Sequence, residues 1–171
     1  MSQLTNSERR LTELHIGEAR SRALRLFMAT STIFPAEWTD WGGLSDMLVT
    51  DVHEMAFHAR RVIDLCRIDV ASFTMVDAVR YSFEPGSETL LVANLREALD
   101  RLHHARDMIF VWSVWTGRPV FVTSRANHAP SYVSVTTDIR ERANISLYGV
   151  AMSYLYEVLP EVSRSFPEYE F

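Results

Sequence analysis

The chain has 171 residues and a net charge of −5, and all 17 of its basic residues are arginine, with no lysine anywhere. That excludes a Walker-type phosphate loop, Schiff-base chemistry and a pyridoxal-phosphate anchor, each of which needs a lysine. The acidic balance argues against a general nucleic-acid coat or an electrostatic membrane binder. Six Gly and six Pro are few against the roughly 20 of average usage, so the composition favours helices, and the length suits one domain.

The first ten residues are polar and form no signal-peptide core, and no run reaches the roughly 18 apolar residues of a membrane span. The expectation is a cytoplasmic protein without a membrane partner. Asn6 or Ser7 can cap a first helix to about Thr30, and a loop with Pro35 and Gly42-Gly43 follows. Ser45 can cap a second helix to about Ile68, on which Leu48, Val52, Met55, Ala59, Val62 and Cys66 form one apolar stripe. Cys66, the single cysteine, reads there as a small buried hydrophobe. Residues 71–83 are ambiguous. Ser87 can cap a long third helix to about Trp115, its stripe running Leu91, Leu95, Ala98, Leu102, Ala105, Ile109 and Trp112.

The pattern then turns to Val, Phe, Tyr and Thr over 118–124 and 131–137, with a turn between, which predicts a two-stranded hairpin. Asp138-Ile139-Arg140-Glu141 has the spacing of a capping box opening a fourth helix to about Leu159. An acidic, aromatic tail follows over 160–171. The fold expected is mainly α: a single domain, a bundle of about four helices with one inserted β-hairpin.

Helix three carries the most suggestive chemistry. With Leu102 at zero, Arg96, Asp100, His103 and Asp107 fall between about 100° and 160°, one stripe beside the apolar face. An arginine that holds a phosphate and a histidine that moves a proton near neutral pH are a minimum for metal-free RNA cleavage. Arg96 and His103 are therefore the candidate catalytic residues, with Asp100 and His104 in support. The plainer reading is that Arg96–Asp100 and His103–Asp107 are surface i,i+4 pairs. Arg60, Arg61, Arg67, Arg96, Arg101 and Arg106 would make a phosphate-binding face if helices two and three are neighbours, or an ion-paired solvated one.

The run Leu95-Arg96-Glu97-Ala98-Leu99-Asp100-Arg101-Leu102-His103-His104-Ala105 resembles the motif helix of HEPN domains (higher eukaryotes and prokaryotes nucleotide-binding), an Arg and a polar residue followed by a His. Arg96-Glu97 and His103 fit it as Arg-x6-His. Residues 52–61 have the flavour of that family's early helix, so the resemblance spans about 44–115. It implies metal-independent ribonucleases of toxin–antitoxin or phage-defence systems, acting as homodimers with the motif at the interface. RNA or a nucleotide would be the ligand, and no cofactor is called for.

Two other readings stay open. One is a non-catalytic interaction or regulatory protein that meets a protein partner through its hairpin and aromatic residues. Trp38, Trp41, Trp112 and Trp115 read as core or subunit-interface anchors. The other is a metal-binding bundle using Asp51, Glu54 and His58, which share one edge of helix two. His15 and His128 stand alone in sequence and read as solvated.

Overall fold

The computed structural model describes residues 5–35, 37–71, 73–75, 90–115, 127–167 and 169. Its first helix, α1 (Asn6–Ser31), starts at Thr5, whose hydroxyl accepts from the Glu8 N–H while Glu8 reaches back to Thr5, a reciprocal capping box. After the two-residue strand β1 (Phe34–Pro35), α2 (Trp41–Cys66) starts from Asp40 rather than Ser45. The Asp40 carboxylate takes the Gly43 N–H at 3.0 Å, and a Cβ on Gly43 would lie 2.7 Å from that carboxylate. A glycine is what this cap accommodates. Arg67, in the left-handed region at φ 53°, stops the helix.

The expected stripe on α2 forms the centre of the core: Leu48, Val52, Met55, Ala59, Val62 and Cys66 are all buried. Against it pack Ile16, Ala19, Ala23 and Leu26 of α1 and Leu95, Ala98, Leu99 and Leu102 of α3 (Leu95–His103). Burial in these apolar surroundings pushes the Cys66 thiol up to about 11, as its reading as a core residue requires.

The third helix is much shorter than expected. It ends at His103, and β2 (Ala105–Trp115) begins two residues later. Beyond Arg106 the chain reads Asp-Met-Ile-Phe-Val-Trp-Ser-Val-Trp, and its β-branched and aromatic residues fit a pleated surface better than a helix. β2 pairs antiparallel along β3 (Asn127–Thr137), and β3 carries β1 and β4 (Ala143–Ser146) on its other edge. Among the described residues the two-stranded hairpin is thus corrected to a four-stranded antiparallel sheet. Its expected second strand lies within β3, whereas 118–124 lies outside the described residues, as do 76–83 and the Ser87 start of helix three. A register shift separates Val111 and Trp112, where Pro130, which has no N–H to donate, faces Trp112.

The fourth helix also starts later than expected. Residues 138–140 form a bend rather than a capping box, and all four residues of β4 are buried. Ser146 then caps α4 (Leu147–Ser153) by accepting from the Gly149 N–H. One π-helical stretch (Tyr154–Val158) leads into α5 (Leu159–Ser165). Pro160, which cannot donate to the helix ladder, follows directly on that widened turn. Part of the expected tail is therefore helix, and Tyr169 beyond it is buried. The protein is mainly α, with the sheet against one side of the helical core. None of its helices is long and apolar enough to cross a membrane, among the described residues.

Candidate functional site

Asn94 caps α3 by accepting from the Glu97 N–H at 3.2 Å. Burial of Leu95, Ala98, Leu99 and Leu102 then fixes which side of this helix is left for Arg96, Asp100 and His103. The facing turns of α2 supply Arg60 and Asp64. Across the gap Arg96 Nη1 meets Asp64 Oδ1 at 2.9 Å, and Arg60 Nε lies 3.2 Å from Asp100 Oδ1, with Arg96 Nε at 3.9 Å from the same oxygen. Two arginines and two aspartates thus alternate along the α2–α3 seam.

Arg60 also reaches His104, with Nη1 3.3 Å from Nε2. A guanidinium can only donate, so Nε2 of His104 is the accepting nitrogen and the proton of the neutral ring sits on Nδ1. His104 closes α3, its N–H bonding the Asp100 carbonyl at 3.1 Å. Arg101 is nearly fully buried, its Nε donating to Glu97 at 2.9 Å and its Nη1 to the Glu141 carbonyl at 2.8 Å. These bonds tie α3 to the bend before β4. Between them opens a cleft of about 400 Å³ lined by Arg60, Asp100, Arg101 and His104 on one side and by residues 137–140 on the other. Arg140 also borders the neighbouring hollow that contains Arg96 and Asp100. Its guanidinium makes no ion pair with a described residue.

Comparison with family models, with curated proteins and with solved structures finds no match.

The pair singled out in the sequence, Arg96 and His103, shares a helix but not a set of partners. Arg96 turns to Asp64, whereas the His103 ring lies 5.7 Å from Phe57 and 4.6 Å from His104. Burial first, then the nearby His104, Arg60 and His53, hold His103 below the usual histidine range, so it is neutral at pH 7. The two supporting residues, Asp100 and His104, both line the cleft. The i,i+4 reading of His103 with Asp107 is corrected: Asp107 belongs to β2 and pairs with Arg142 at 2.8 Å. Of the wider arginine group, Arg60, Arg96 and Arg101 converge on α2–α3, while Arg106 pairs with Asp138.

The metal set does not come together. Asp51 is buried and held by Arg22 at 2.9 Å and Arg25 at 3.4 Å, while Glu54 binds His58 Nε2 at 3.3 Å. Among the described residues no group of three His, Cys, Asp or Glu side chains is arranged to hold a metal ion. His15 and His128 are not solvated singletons. His15 is buried against His58, and His128 stands 5.8 Å from Trp41. Trp41 packs in turn on Trp112 at 4.7 Å and on Phe34 at 6.2 Å, so these aromatics anchor the start of α2 to the sheet. Arg140 was missed in the sequence because residues 138–141 carry a helix-start pattern. Nothing local signals that they bend over α3.

Proposed function

We propose that this protein binds the phosphate backbone of RNA in the Arg60–Arg140 cleft and cleaves it without a metal. The observation that carries this reading is the pairing at one opening of Arg140, a guanidinium with no ionic partner among the described residues, and His104, whose Nε2 is an acceptor. A guanidinium fork matches two phosphate oxygens, and a neutral imidazole nitrogen can take a proton from a hydroxyl. In that scheme Arg140 and Arg60 hold the non-bridging oxygens. Arg60, in turning from His104 to the phosphate, frees the Nε2 lone pair, which removes the 2′-hydroxyl proton as that oxygen attacks phosphorus, and the 5′-oxygen leaves with a proton from water. Arg96, beside the same Asp100, extends the positive edge for the next phosphate, and His103 backs His104. The HEPN-like pattern of the α3 sequence supports the same reading, including its toxin–antitoxin or phage-defence setting.

Binding tests it first. Fluorescence anisotropy of a labelled single-stranded RNA is expected to show affinity that falls steeply with salt. Arg140→Ala is expected to weaken it about 10-fold, the size of one charge-assisted hydrogen bond. Binding that is absent at low salt, or indifferent to this substitution, contradicts the assignment.

A further inference from the structure

The first helix carries two apolar stripes, and the body of the protein uses one. Ile16, Ala19, Ala23 and Leu26 are buried. At about 100° per residue, Leu14, Gly17, Ser21, Leu24 and Met28 fall on the opposite side within a band about 80° wide. Their alternating steps of three and four residues are those of a coiled-coil seam. Leu14 is 55%, Leu24 42% and Met28 65% exposed, and the space beyond the Gly17 Cα is open. Exposed apolar side chains interleaved with small residues along one side of a water-facing helix mark a contact surface.

We propose that this face of α1 docks antiparallel on the same face of a second copy of the chain. Side-chain size selects that partner. A two-fold axis crossing α1 near Arg22 and Ala23 sets Met28 over Gly17 and Leu24 over Ser21 of the second copy, a large side chain entering the space left by a small one. Charge selects the direction. Glu18 and Arg25 flank the seam, their side chains 42% and 45% exposed, and the same axis brings each toward the other in the second copy. A parallel pairing would oppose Glu13 to Glu18 and Arg20 to Arg25, like charge to like at both places.

The seam from Leu14 to Met28 is about 21 Å long. It continues into a groove of about 340 Å³ where Leu24 and Arg20 meet Leu155, Tyr156 and Leu159, with Tyr156 67% exposed. None of these residues lines the Arg60–Arg140 cleft, so the inference stands independently of the RNA reading. It also puts the two-fold on α1, away from the α3 motif.

Sedimentation velocity of the full chain over a wide concentration range tests this. The wild type is expected to sediment as a dimer. L14E/M28E and, separately, Ser21→Arg are expected to sediment as monomers with unchanged helical circular dichroism, since all three positions face water. Ile109→Glu, a control at a half-exposed position on β2, is expected to remain dimeric. A monomeric wild type, a dimer that survives both α1 variants, or dissociation of the Ile109→Glu control would each overturn the proposal.

Discussion

His15 on α1 and His58 on α2 face each other Nδ1 to Nδ1 at 2.7 Å, and the same His58 ring reaches Glu54 through Nε2 at 3.3 Å. Only one proton fits between the two Nδ1 atoms, so the contact needs at least one neutral ring. His15 is the deeper member, 5% exposed and edge-on to Phe57 at 5.7 Å.

This pairing makes stability depend on pH with a defined sign. Burial, then His58 and Arg61, hold His15 below the usual histidine value of 6.5, and His103 is lowered in the same sense. Above that value both folded and unfolded chains leave the ring neutral, and the stability is fully present. Below it the unfolded chain takes up a proton that the folded His15 resists, so stability drains away as pH falls. Melting temperature is therefore expected to drop between pH 7.5 and 5.5, and the drop should be shallower in His15→Asn. An identical slope in that variant would show that His15 does not carry this dependence.

Asp51 is the polar bolt between α1 and α2. Its side chain is 2% exposed, while its partners Arg22 and Arg25 are 21% and 45% exposed. Removing one member of a buried pair strands the other, and partial exposure of both arginines moderates the penalty. Asp51→Ala is expected to lose about 2–3 kcal/mol in urea unfolding. EDTA should leave the wild-type midpoint unchanged, whereas a midpoint that falls with chelator would revive the metal reading of Asp51, Glu54 and His58.

Tyr154 offers the opposite case. Its ring is fully buried in the core, and its hydroxyl finds no hydrogen-bond partner among the described residues. An unpaired buried hydroxyl costs stability. Tyr154→Phe is expected to match or exceed the wild type, by up to about 1 kcal/mol. A loss of that size in a denaturation curve would mean that the hydroxyl is satisfied.

What was legible in the sequence was what is local to one element. The α2 stripe from Leu48 to Cys66 is set by helical spacing alone, and every member is buried. The apolar stepping through Ala105, Ile109 and Trp112 is compatible with a strand as well as a helix. Pairing with β3, between partners 12 to 32 residues apart in the chain, decides between them. β4 was hidden because all four of its residues are covered, leaving no alternation to read. The same limit applies to the site. Arg96, Asp100, His103 and His104 stand out in one stretch, but Asp64 and Arg60, which pair with Arg96, Asp100 and His104, and Arg140, which borders the same cleft, come from other elements. His58, 43 positions from His15, was likewise invisible as its partner.

The most direct test of the account is cleavage of single-stranded RNA by the purified protein in EDTA, with the product ends identified. Wild type is predicted to leave 2′,3′-cyclic phosphate ends, and His104→Ala to lose about 100-fold or more of the rate, as removal of a general base does. Arg96→Ala and His103→Ala should lose less, because neither side chain takes the 2′-hydroxyl proton in this scheme. RNA left intact by the wild type, or cleaved equally well by His104→Ala, would contradict it.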